Sequence, residues 1–158
     1  MAADDAKSKE LSPSGFDWTD GPALRQQDGI LLLARLCLGW IFVQSGLLKL
    51  MGLQAFSTRG WPAAWFFGPF GATVEMIGGA LLILGLATRY TCLVMLVFMV
   101  VATFSNHRYW DYPPEAIQGQ KSHFFKNLSI FGAFLVFYAI GAGRMSGDWI
   151  LGRGKRAG

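Results

Sequence analysis

Charge is scarce in this sequence, and negative charge is nearly missing from its apolar parts. Only 15% of the 158 residues are charged, against 53% hydrophobic. Four long apolar runs, at about 30–52, 69–87, 90–106 and 124–143, share one acid, Glu75. A soluble bundle needs charged outer faces, and these runs lack them, so that class is excluded. Cysteine is limited to Cys37 and Cys92, inside apolar segments and without a C-x-x-C pair. That argues against a disulfide or thiol-redox role, and both read as small buried hydrophobes. The two histidines, His107 and His123, show neither metal-ligand spacing nor a haem axial set. No nucleotide-binding motif is present. The net charge of +4 is spread over tails, loops and helices, whereas a nucleic-acid face needs clustered Lys and Arg. A secretory signal peptide is also excluded, because the first apolar run begins too late, is too long, and lacks an A-x-A site.

What the chain does have is length for crossing a bilayer, which takes roughly 20 mostly apolar residues per helix. The run ILLLARLCLGWIFVQSGLLKLMG carries Arg35, Gln44 and Lys49. Arg35, Gly39, Phe42, Gly46 and Lys49 follow helical spacing and share one face, which reads as the packing face. The second run places Gly71, Glu75, Gly78, Leu82 and Gly85 on one face, predicted to pack on the first because small residues let membrane helices approach. Pro69 falls in the first turn of that helix, where proline is tolerated. The third run ends in Ser105, Asn106 and His107. After the loop RYWDYPPEAIQGQKSH the fourth helix is expected to start near Phe124, with Lys126 and Asn127 in its first turn.

The expected fold is therefore all-α, a four-transmembrane-helix bundle with a short interfacial helix between the first and second spans. That helix would begin at Trp61-Pro62, with Trp61, Trp65, Phe66 and Phe67 at headgroup level. Residues 1–28 read as a disordered polar tail, 29–151 as the membrane domain and 152–158 as a basic tail. An even number of spans puts both termini on one side. Lys7, Lys9, Arg25, Arg89, Arg144, Arg153, Lys155 and Arg156 fall there, against Arg59, Arg108 and Lys121 opposite, so both termini are assigned to the cytoplasm.

With that topology five polar groups converge at one level: Lys49, Glu75, His107, Lys126 and Asn127. A lone carboxylate in lipid is costly, so Glu75 is expected to pair with Lys49 or Lys126. Such a pair either fixes helix register and does nothing more, or lines a pocket opening outward for a small polar substrate or a quinone headgroup. In the second case Glu75 relays a proton and His107 or Asn127 orients the headgroup. At the other end, Arg35 and Tyr138 lie at similar depth. Either Tyr138 hydrogen-bonds near Arg35, or Arg35 snorkels to lipid phosphate.

These residues resemble the DoxX family of small membrane proteins. The resemblance rests on E-x-x-G-G-x-x-L-x-x-G-L-x-T-R, matched by Glu75, Gly78, Gly79, Leu82, Gly85, Leu86, Thr88 and Arg89. Beside it stand R-L-x-L-G from Arg35 and F-F-K-N from Phe124. It implies a four-helix protein of the bacterial inner membrane. The family is named from a small subunit linked to a thiosulfate:quinone oxidoreductase, and other members accompany membrane oxidoreductases or thiol and oxidative stress. It carries no agreed catalytic residues, so no catalytic role transfers. The resemblance favours a non-catalytic subunit or anchor of a membrane oxidoreductase, with quinone as the cofactor to consider. The partners to consider are the lipid bilayer, an oxidoreductase subunit and a second copy of the chain. A small transporter or channel-like oligomer, and a structural membrane protein without ligand, stay open as alternatives.

Overall fold

The computed structural model describes residues 21–52 and 64–152. In chain order the elements are α1 (Gly21–Leu50), α2 (Ala64–Leu84), α3 (Thr88–Asn106), a 3-10 turn (Tyr109–Asp111), α4 (Pro114–Ile140) and α5 (Gly147–Ile150). The stretches Gln26–Leu50, Phe67–Leu84, Thr88–Asp111 and Pro114–Ile140 are long and apolar enough to cross a membrane. The protein is an all-α, multi-pass membrane protein, as its apolar runs predict.

Element boundaries differ from the sequence expectation in three places. Helix α1 begins at Gly21, so residues 21–28, assigned to a polar tail on composition, are helical. Helix α2 begins at Ala64, which puts Pro69 inside the helix rather than in its first turn. Thr73 Oγ1 donates to the Pro69 carbonyl at 2.8 Å there. The expected start of an interfacial helix at Trp61-Pro62 lies outside the described residues, and from Ala64 onward the chain is continuous with α2. Helix α4 begins at Pro114, well before Phe124. Pro113 is extended and precedes the helix, Pro114 occupies its first turn, and Glu115 follows it there. A proline at that position loses no helical hydrogen bond, and an acid there complements the helix dipole. The Pro-Pro pair therefore starts a helix here. At 27 residues α4 is about 40 Å long, more than a bilayer core of about 30 Å requires.

Helix α1 lies along α2, α3 along α4, and α2 joins the pairs through α3. On α1 the predicted face is the buried one: Arg35, Gly39, Phe42 and Gly46 are all buried. A methyl group at Gly39 would sit 2.7 Å from the Gly79 carbonyl oxygen. One at Gly46 would sit 2.5 Å from the Ala72 carbonyl oxygen. The two backbones are thus in contact, which only residues without Cβ permit. The partner glycine on α2 is Gly79. Gly78, expected on this seam, faces Met95 of α3 instead, because adjacent helical positions point about 100° apart. Phe42 and Phe134 meet with ring centroids 5.5 Å apart and join α1 to α4 over a core of Leu82, Cys92 and Met95. Cys92 is buried as expected, whereas Cys37 is exposed on the outer face of α1.

The Arg35 end of the bundle is closed by the C-terminal segment. The α2–α3 turn holds Gly85 at φ +64 and Ala87 at φ 47. Ala87 gives α3 no side-chain cap. Asp148 supplies one from across the structure: its carboxylate accepts from Ala87 N at 2.6 Å and Thr88 N at 2.8 Å. Its own N–H donates to the Gly85 carbonyl at 2.8 Å. Ser146 caps α5, and Arg144 N donates to Asp28 Oδ1 at 2.7 Å.

The α1–α2 seam makes a direct prediction. Gly46→Ala forces two backbones apart and is expected to cost about 1–3 kcal/mol, read as a lower Tm in detergent. Gly132→Ala, where nothing lies within 4 Å, is expected to leave stability within about 0.5 kcal/mol.

Candidate functional site

Lys49 stands in the last turn of α1, where a cation suits the helix dipole. The close seam brings it against Glu75 of α2. Its Nζ lies 2.7 Å from both carboxylate oxygens, and the side chains are only 17% and 11% exposed. Of the two lysines considered from sequence, Lys49 is the partner.

His107 follows the last residue of α3, its N–H donating to the Thr103 carbonyl. Its Nδ1 lies 2.8 Å from Gln120 Oε1 on α4. The His107 ring stacks on that of His123, with centroids 5.2 Å apart and planes at 26°. Lys126 Nζ lies 3.2 Å from His123 Nδ1. Asn127 Nδ2 donates to Thr103 Oγ1 at 3.1 Å and ties α4 to α3.

Lys49, Glu75, His107, Lys126 and Asn127 all line one cavity of about 770 Å³. Its remaining wall is largely apolar and includes Phe42, Val74, Phe98, Met99 and Ile130. Both the volume and the mixture suit a small-molecule site, where a few placed polar groups interrupt an apolar lining. Lys126 and Asn127 reach it from well inside α4, not from its first turn, since that helix starts at Pro114.

Five further polar residues line this cavity: Gln44, Ser45, Ser105, Asn106 and His123. His123, Lys126 and Asn127 sit at i, i+3 and i+4, a helical-face signal hidden by starting α4 at Phe124. Asn106 Oδ1 is buried without a hydrogen-bond partner. An orphaned acceptor of this kind costs on the order of 1–3 kcal/mol, and a donor on an occupant would satisfy it.

Arg35 and Tyr138 are not brought together. Arg35 is fully buried, so it does not snorkel. It donates to the Ile83 carbonyl at 3.3 Å and to the Met145 carbonyl. Tyr138 is 40% exposed, and no hydrogen bond joins it to Arg35 among the described residues. The reason is the C-terminal segment, which folds back and presents main-chain carbonyls to the guanidinium. Among the described residues no group of three or more potential metal ligands occurs.

Fold and cavity define a class: a small four-span helical membrane protein with an amphiphilic pocket at one end. The chain belongs to the DoxX family, whose model matches residues 30–108. It is 30% identical over 123 residues to the inner membrane protein YphA of Escherichia coli, covering 75% of this chain and 88% of that protein. It is also 36% identical over 77 residues to the uncharacterized membrane protein Rv3486 of Mycobacterium tuberculosis, 46% of this chain and 47% of that one. No solved structure matches the chain.

The ion pair is open to a double-mutant cycle. Lys49→Met or Glu75→Gln alone strands a mostly buried group and is expected to cost about 3–5 kcal/mol. The double variant is expected to cost clearly less than the sum of the two, measured as Tm in the same detergent.

Proposed function

We propose that this chain is a non-catalytic subunit of a membrane oxidoreductase system, holding a lipophilic ligand of the quinone class between its helices. The carrying observation is the cavity, apolar along its helical walls and polar toward the Lys49 end. Quinone chemistry fits these residues. Ring carbonyls accept hydrogen bonds, which Lys126 and the Nε2–H of His123 can donate, and an apolar tail suits Phe42, Phe98 and Met99. Such a group, when bound, supplies two-electron redox capacity. The residues of this chain hold the head, exclude water and orient it, and none is assigned a catalytic role.

A second reading, a structural protein without ligand, is favoured by one observation: Lys49 and Glu75 satisfy each other. Binding decides between them. The purified chain in nanodiscs is expected to bind a neutral naphthoquinone saturably, read by tryptophan quenching. Ala102→Phe, which fills the cavity, should abolish saturation while leaving helicity by circular dichroism unchanged. Non-saturable quenching by the unaltered chain would leave the structural reading standing.

We also place the protein in the bacterial inner membrane with both termini cytoplasmic. Arg25, Arg89 and Arg144 flank the spans at one end, and the relative YphA is named an inner membrane protein. A C-terminal green fluorescent protein fusion is expected to fluoresce, and a C-terminal alkaline phosphatase fusion to be inactive. The reverse pattern would invert the assignment.

A further inference from the structure

We propose that the cavity selects a lipophilic anion, an amphiphile whose head is ionised at neutral pH. This inference rests on the reading of the cavity as a ligand site and adds the charge of the head. The charges facing the cavity come from each packed element. Lys49 of α1 and Glu75 of α2 cancel at 2.7 Å. Arg108 and Asp111 of the 3-10 turn region do not line the cavity and pair with each other at 3.0 Å. Helix α3 contributes only the His107 imidazole at its end. Helix α4 contributes His123 and Lys126, and Lys126 has no carboxylate partner among the described residues. One positive charge is therefore left uncompensated at the cavity.

The His123 imidazole is arranged to assist that charge, and His107 holds it in place. An ammonium can only donate, so His123 Nδ1 accepts from Lys126 and the ring carries its hydrogen on Nε2. Gln120 Oε1 can only accept, so His107 Nδ1 donates to it. The two rings are held stacked in defined orientations beside the ammonium. An anionic oxygen at this point gains a charge-assisted hydrogen bond, about twice as strong as a neutral one.

The cavity also reaches the lipid-facing surface. Phe70 of α2 and Val94 and Val97 of α3 line it and are yet 57%, 56% and 65% exposed. An amphiphile dissolved in the bilayer can enter between α2 and α3 with its tail still in lipid.

The test compares two probes of nearly equal shape on the full chain in phosphatidylcholine nanodiscs. One is an alkylated hydroxynaphthoquinone, ionised at neutral pH. The other is its methyl ether, which stays neutral. The acid is expected to bind about tenfold tighter, the value of one charge-assisted bond over a neutral one. Lys126→Gln should remove the preference without weakening the ether, and Lys126→Arg should retain it. Adding phosphatidylglycerol to the discs identifies the source. Displacement of the acid supports a lipid phosphate as the natural anion, and no displacement supports a free lipophilic acid. Equal affinities, or a preference that survives Lys126→Gln, would overturn the inference and leave the ligand-site reading intact. Failure of both probes to bind would overturn that reading and this inference with it.

Discussion

The bundle depends on how closely α1 and α2 approach. Gly39 against Gly79, and Gly46 against Ala72, bring main chain to main chain. Water gives helices a hydrophobic incentive to associate, but lipid gives almost none, so packing and internal polar contacts carry the association. The seam supplies both. Arg35 and Lys49 lie 14 residues apart on one face of α1, about 21 Å along the axis. At one end Arg35 finds the Ile83 carbonyl of α2, and at the other Lys49 finds Glu75. A slip of one residue would rotate both cations about 100° away from their partners. Register and charge compensation are therefore one constraint.

The two ends use that constraint differently. At the Arg35 end most polar groups are answered by main chain. The guanidinium takes carbonyls of Ile83 and Met145, and Asp148 takes N–H groups of Ala87 and Thr88. The C-terminal segment fills the space and leaves no room there for Cβ on Gly85. At the Lys49 end side chains answer side chains across an open cavity. Each end keeps buried atoms without a partner, Arg35 Nε and Thr88 Oγ1 at the first and Asn106 Oδ1 at the second, but only Asn106 lines the cavity. The first arrangement holds the fold shut. The second leaves hydrogen-bonding capacity facing open space.

The sequence makes the spans, the α1 face and the Lys49–Glu75 pair legible, because each rests on local periodicity plus one strong energetic rule. Apolar length names the spans, helical spacing names the face, and the cost of a lone carboxylate in lipid demands a cation for Glu75. The misses share a cause too. Asp148 caps a helix 60 residues earlier in the chain, and Arg35 bonds a carbonyl 110 residues later. Nothing local announces either contact. The start of α4 is legible in Pro113-Pro114, since proline suits a helix start, and a start near Phe124 instead assigns residues 114–123 to a loop. That later start conceals His123 on the same face as Lys126 and Asn127.

The same distinction bears on what Glu75 can do. A carboxylate gripped through both oxygens by one ammonium moves a proton only after Lys49 lets go, and letting go strands two charges in a poorly solvated place. Proton relay by Glu75 would first require the Lys49 side chain to swing away. Groups with capacity to spare stand on α4: Lys126, without a carboxylate partner among the described residues, and His123 with its second ring nitrogen. On the proposed reading, α1 and α2 supply the compensated wall of the cavity, and α4 supplies the cation that no carboxylate among the described residues answers.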